Sequence, residues 1–591
     1  MGLLLFLTFW LGVLASPALA ADPIMPLDQV ERGMQCEGRS VIRGTAIETF
    51  DVEILDVIAH DPMGSGPVIL FRASGPAVDE TGLGFGFSGS PIYCPDSDGV
   101  MRNAGAVFAG VEDYGNDTAL ATPIEAVLSM PVETPPQARP ATEAERNAEP
   151  WSTPLMVAGA GPAVRRSLWA AAAKQGLQLI HAPATASQVS TGTDLQPGSA
   201  VAGSLSSGAI GLNAIGTVAY RDDAGRIWAF GHPLDGAGER SLLMQGAFVH
   251  QVIGNPNPPG FSLGTYKLAS AGDLAGTIDF DGNFAISGTL GSLPTTIPVV
   301  VRASGPVGDL DRAVTLVADE SPLNHPSGFA ALSLVTSIAV SDRVFTALGS
   351  SGGRSYGRLC VRIDIRERSR PMRFCNRYMG DGQFLGGTEI AMGGDAATAA
   401  TLVERFDRRQ IHVERVRAKL EVHEDLRFAR LRSASGPRRV RPGERIRIRI
   451  AYSQPRERLE TSTFTIRVPD SLDPGRRTLR LSGSGPDPGQ ASLEAIFSAG
   501  ISPEDQFFFF GEGPQSLPNV ERLAQAVRNI HRYDGIRGTF RRPRRQGRNL
   551  DQFTDFFGIG DVGFGGRPVF RHDKLRIGGS AKVKVRVLRA R

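Results

Sequence analysis

Histidine and cysteine are scarce in this chain: nine and four in 591 residues. No two cysteines stand at C-x-x-C spacing, so the sequence carries no zinc-ribbon or thioredoxin signature. Aromatic residues make up only 7%. None interleaves with lysine and arginine in the way that stacks bases, which argues against nucleic acid as a partner. The overall charge is close to balance at +3. Beyond residue 20 no run reads as long and apolar enough to cross a bilayer.

What is abundant is glycine and proline, 70 and 40 residues. Short alternating apolar runs lie between these turn formers, which predicts a mostly β chain. The length calls for several domains. The charge is unevenly spread. Residues 401–591 hold 39 Lys and Arg against 22 Asp and Glu. This basic half is either a solvated arginine-rich surface or one that meets an anionic envelope surface.

The chain opens on an apolar stretch, Leu3 to Leu14, followed by Ala18-Leu19-Ala20. Residues 1–20 therefore read as a signal peptide, although no Lys or Arg precedes the apolar stretch. Export to the periplasm, cell envelope or exterior makes the even cysteine count a disulfide count. Four cysteines allow three pairings. The preferred one joins Cys36 to Cys94 and Cys360 to Cys375, the second across a hairpin.

Residues 21–132 form a first β region, and the Pro- and Ala-rich stretch and helix at 133–194 lead to a second at 195–305. A mixed connecting region follows at 306–412. Strict alternation in Arg445-Ile446-Arg447-Ile448-Arg449-Ile450 and Thr463–Val468 predicts antiparallel strands of an immunoglobulin-like sandwich at 413–485. A basic α+β region closes the chain at 486–591, with a helix near Val520–His531 and a strand at Ala581–Leu588. Phe507–Phe510 reads as a buried strand and Arg541–Arg545 as a basic loop.

The most informative stretch is Gly84-Phe85-Gly86-Phe87-Ser88-Gly89-Ser90-Pro91-Ile92. Glycines flanking Ser88 allow backbone angles that expose a hydroxyl. They also let the Gly86 and Ser88 N–H groups turn toward one point, as an oxyanion hole requires. By itself Ser-Gly-Ser-Pro is more often an ordinary polar turn. Around it stand Gly44-Thr45, Phe50–Leu55, Val68–Phe71, Gly105-Ala106-Val107 and Thr122-Pro123-Ile124-Glu125. Further on, Gly216–Tyr220, an Asp-Asp-Ala-Gly turn, and Ile227–Leu234 form a hairpin ending in Gly231-His232-Pro233.

In order and spacing these segments resemble the SpoIVB-type serine peptidases, over roughly 30–130 and 195–305. Phe87 stands where the family usually has Met. The family places its histidine segment before its serine segment and has a PDZ-like domain at the front. Here the order is reversed and that domain is missing, which leaves any sporulation role in doubt.

The resemblance implies a chymotrypsin-like pair of barrels with swapped halves and a secreted serine endopeptidase without cofactor or metal. It implies Ser88 as nucleophile, His232 as base, and Gly86 and Ser88 N–H groups as the oxyanion hole. The substrate would be a protein or peptide, including this chain itself. The family's aspartate before the nucleophile falls on Ala73 by direct counting, and Asp79 is the nearest substitute. A Ser-His pair alone is the alternative, and Ser90 is the second choice as nucleophile. His60, before Asp-Pro, and His250 match no motif and read as structural. The rival function is an inactive scaffold or binding module of the same fold.

Overall fold

The structure, a computed structural model, describes residues 21–60, 66–111, 117–146, 154–173, 178–254, 264–321, 323, 331–349, 355–380, 388–424, 427–483, 517–530, 534–541, 562–563, 568–572 and 574–589. The signal-peptide reading, the Phe507–Phe510 run and most of the Arg541–Arg545 loop fall outside these residues. The described chain is mostly β.

Six strands close a first barrel: β1 (Gln35–Val41), β2 (Ile47–Ile58), β3 (Val68–Ser74), β4 (Pro91–Pro95), β5 (Met101–Gly110) and β6 (Thr118–Pro123). Their order around it is β1-β2-β3-β6-β5-β4, and β4 returns to β1. Alternate residues point inward, as a strand dictates: Phe50, Val52 and Ile54 of β2 meet Ile69 and Phe71 of β3 and Phe87 from the loop beyond. The seam between β1 and β4 is held by the Cys36–Cys94 disulfide. The second disulfide, Cys360–Cys375, forms as well. Both fit an oxidising, exported location.

Two short strands, β7 (Leu155–Ala158) and β8 (Leu179–His181), flank the helix Pro162–Ala173. Then come β9 (Ala200–Gly208), β10 (Gly211–Arg221), β11 (Arg226–Ala229), β12 (Gly238–Ile253), β13 (Tyr266–Asp281) and β14 (Ile286–Leu290). Their pairings also run in a closed circuit, β9-β10-β11-β14-β13-β12 and back to β9. Counted from its first strand, this is the same order as the first barrel.

The circuit does not stand alone. β9 also pairs with β17 (Ala313–Ala318), which continues through β15 (Thr296–Gly305), β20 (Val413–His423) and β18 (Ser355–Ile365) to β19 (Met372–Gly380). A short β16 (Gly308–Asp309) pairs with β15. β15 lies within the second β region expected at 195–305 but belongs to this extension, as does much of 306–412. Helices Ala331–Leu348 and Thr388–Glu404 cover one face of it. Ala331–Leu348 is long and apolar enough to cross a membrane, contrary to the reading of the sequence. Most of it is buried in the core, where an all-round apolar helix also belongs.

The C-terminal part is two small sheets around one core that includes Ile448, Leu479, Phe540, Ile577 and Val585. One sheet holds Phe428–Ser435, Arg445–Ser453, Glu460–Arg467 and Arg576–Gly578. The other includes Gly475–Gly483, Ile536–Arg541 and Ser580–Val587. The expected boundaries shift at both ends. The strand from Val413 leaves for the large sheet, and the closing strands from the last hundred residues complete the small ones.

Candidate functional site

Ser88 lies in the connection between the third and fourth strands of the first barrel. His232 lies in the connection between the third and fourth strands of the second circuit. The two connections meet along one backbone seam. Thr217 N–H donates to the Ser88 carbonyl (2.8 Å) and Phe230 N–H to the Thr217 carbonyl (3.2 Å). Gly89 N–H donates to the Val107 carbonyl (2.7 Å). Gly231 packs on that same carbonyl, where an added Cβ would lie 2.8 Å away. Thr122 Oγ1 donates to the Gly231 carbonyl (2.8 Å).

Glycine is required here by both angle and space. Gly89 has φ +91°, and a Cβ on it would lie 2.0 Å from the Thr217 carbonyl oxygen. Phe230 is a buried aromatic residue at φ +75°, just ahead of Gly231 and His232. A side chain held in the left-handed region is strained by roughly 1–3 kcal/mol.

His232 is 3% exposed. Its Nδ1 is 2.7 Å from the Pro233 carbonyl. A carbonyl only accepts, so Nδ1 carries the proton and Nε2 presents its lone pair. Nε2 is buried and has no hydrogen-bond partner among the described residues. Burial pulls the imidazole down to about 4, against a weaker upward pull from the Pro233 carbonyl. The ring is therefore neutral at ordinary pH.

Ser88 is 2% exposed, and its hydroxyl makes no hydrogen bond among the described residues. The Ser88 Oγ–His232 Nε2 bond is thus open. The N–H groups of Gly86 and Ser88 likewise donate to no acceptor among the described residues, whereas Phe87, Gly89 and Ser90 N–H groups are all engaged.

Asp79 does not orient the imidazole. It is exposed and accepts the Gly75 N–H (2.7 Å), closing its own turn. The Nδ1 position is taken by Pro233 instead. His60 is exposed at the end of β2, and His250 Nε2 bonds Ser270 Oγ (3.0 Å). Ser90 is fully buried, and its Oγ bonds Ser40 Oγ (2.8 Å).

Two groups escaped sequence reasoning. Asp281, at the end of β13, accepts the N–H groups of Leu234, Asp235 and Gly236 (2.8, 2.8 and 2.9 Å). It fixes the loop just after His232. Burial and the neighbouring Asp235 carboxyl push it up to about 6. Its only signal in the sequence was an Asp-Gly-Asn turn between two strands.

The second is Lys267, fully buried beneath the serine loop. Its Nζ donates to Ser40 Oγ (2.7 Å) and Thr217 Oγ1 (3.3 Å) and lies 4.4 Å from the Phe87 ring centre. Thr217 Oγ1 in turn donates to the Gly86 carbonyl (2.9 Å). Lys267 has no carboxylate partner among the described residues, and burial lowers it to about 7. A lone Lys on an alternating strand gives no sign of this.

Comparison with known protein families, curated proteins and solved structures finds no match.

Proposed function

We propose that the chain is a serine endopeptidase of the SpoIVB type, with a chymotrypsin-like pair of barrels in swapped order and an immunoglobulin-like sandwich behind them. One observation carries the reading. Ser88 and His232 occupy the same connection, third strand to fourth, in two strand circuits of the same order, and those connections share a backbone seam. Nothing local in the sequence brings residues so far apart together.

The reaction follows from the free groups. Ser88 Oγ attacks the scissile carbonyl carbon while His232 Nε2 takes the hydroxyl proton. The carbonyl oxygen becomes an oxyanion, received by the Gly86 and Ser88 N–H groups. As the C–N bond breaks, His232 returns the proton to the leaving amine, leaving an acyl ester on Ser88. Water, deprotonated by the same nitrogen, then releases the acid and restores the serine. Pro233 holds Nδ1–H and so fixes the tautomer, and Asp281 holds the loop that carries it. The base pair is thus Ser-His with a carbonyl in the orienting position. Substrate entry must close the Ser88–His232 gap, since hydrogen bonds of this kind tighten on binding.

That open gap and the buried imidazole favour a second reading, an inactive member kept as a scaffold. Incubating the purified protein with casein, and following its own integrity, separates the two. The peptidase reading expects cleavage that Ser88→Ala abolishes, on the order of 10⁶-fold in turnover. Absence of cleavage and of acylation by any serine-directed reagent would leave the scaffold.

A further inference from the structure

The extension of the large sheet has two unlike faces. Alternate residues of β15, β18, β19 and β20 pack inward toward helices Ala331–Leu348 and Thr388–Glu404. The residues between them, with Arg312 and Val314 at the start of β17, line an open groove of about 640 Å³. Eight of those are Arg or Lys and only Glu421 is acidic.

The cations are set against one another by register. Arg373 of β19 pairs across to Arg362 of β18, and Arg362 to Arg417 of β20. In the next row Lys419 pairs with Arg302 of β15, beside the Cys360–Cys375 disulfide. Strands lie about 4.8 Å apart, and like charges directly opposite destabilise a sheet. Compensation within the chain is small. Asp364 takes Arg362 (3.0 Å) and also Arg417. Arg302, Arg358, Arg373, Arg415 and Lys419 form no ion pair among the described residues, and Arg417 Nε is buried without a partner. A sheet that keeps such a ladder retains an unfavourable term that an anionic ligand would remove.

The shape and lining select among anions. No aromatic residue lines the groove, so nothing there stacks a base, as nucleic-acid channels do. The site is a recess rather than a protruding patch, which a planar membrane surface would not fill. An extended acidic peptide spaces same-side carboxylates roughly 7 Å apart, so it would bring few charges into this volume. Linked phosphates bring at least one charge each, with a second partly ionised at the chain ends, and several acceptor oxygens in a compact body, and the planar guanidinium fork matches them.

We propose that this groove is a binding site for a compact, soluble polyphosphate ligand, held by Arg302, Arg358, Arg362, Arg373, Arg417 and Lys419. It owes nothing to the peptidase reading. It also places the anion-binding property on strands 296–423, of which only Val413–His423 lies within the basic half at 401–591 to which composition pointed.

Titration calorimetry of the full chain with tripolyphosphate in 150 mM NaCl tests it. The expected result is one ligand per chain, with orthophosphate much weaker. Arg373→Ala/Lys419→Ala, both exposed and unpaired, should weaken binding by about thirtyfold or more. Lys582→Ala/Lys584→Ala, exposed on a strand of the C-terminal sheets and absent from the groove lining, should leave it unchanged. Without ligand, the groove variant should melt no lower than the parent, because it relieves repulsion. Binding that vanishes at this salt, survives in the groove variant, or is matched by hexaglutamate or by anionic vesicles would overturn the proposal. So would a groove variant that melts well below the parent.

Discussion

Replacing Lys267 by methionine should stabilise the protein, and by an amount that depends on pH. The side chain is fully buried without a carboxylate partner among the described residues, and burial lowers its amine from 10.5 to about 7. At about 1.4 kcal/mol per unit, that drop corresponds to roughly 5 kcal/mol. In the window from about 7 to 10.5 the unfolded chain binds more protons than the folded one. Parent stability therefore rises with pH across the window and carries the full cost below it. Methionine removes that cost but also loses the hydrogen bonds to Ser40 and Thr217, about 1 kcal/mol each. The face of Phe87 returns part of the charged form's penalty in the parent. The expected gain is about 2–3 kcal/mol at pH 6, turning into a loss of about 1–2 kcal/mol by pH 10. Urea unfolding of both proteins at pH 6, 8 and 10 measures it. A difference that is flat in pH, or a large loss at pH 6, would refute the reasoning.

Other expectations follow from the same geometry. With His232 held down at about 4, its neutral form persists to low pH, so the acid limb of kcat/KM from this group should lie near 4 rather than near 6.5; a pH–rate profile checks this. Asp281→Ala leaves three loop N–H groups without their acceptor and should cost about 3 kcal/mol by urea unfolding, with turnover lost before the fold. Cys36→Ala/Cys94→Ala opens a seam closing a 58-residue separation and should cost about 4 kcal/mol on the chain-entropy account, read by thermal unfolding under non-reducing conditions. Gly89→Ala drives a Cβ into the Thr217 carbonyl and should part the connection of the first barrel from that of the second circuit, lowering both stability and any acylation of Ser88.

The legible parts of the sequence were those written in local pattern. Alternation in β2 and in Arg445–Ile450 announced strands, and the glycines around Ser88 announced a turn that only they could make. The disulfides followed from an even count and a sensible pairing. What stayed hidden depends on contacts between distant segments. Asp79 looked suitable by proximity in sequence, yet it is exposed and its Oδ1 closes its own turn on the Gly75 N–H. The orienting group for His232 is a backbone carbonyl, which no residue type advertises. Lys267 and Asp281 acquire their character from burial, and burial is set by how the two strand circuits pack. The cationic groove is likewise a matter of register: Arg362, Arg373 and Arg417 come from three strands whose pairing no local window contains. The apolar helix Ala331–Leu348 shows the converse, because its length and composition suit both a membrane and a core, and only packing distinguishes them.

The central claim is that Ser88 is a nucleophile served by His232. Its most direct test is labelling of the purified, disulfide-intact chain with a fluorophosphonate, followed by peptide mapping of the adduct. The expected result is a single adduct on Ser88, absent in Ser88→Ala, strongly reduced in His232→Ala and retained in Ser90→Ala. An adduct on Ser90, or a folded protein whose Ser88 remains unlabelled, would contradict it.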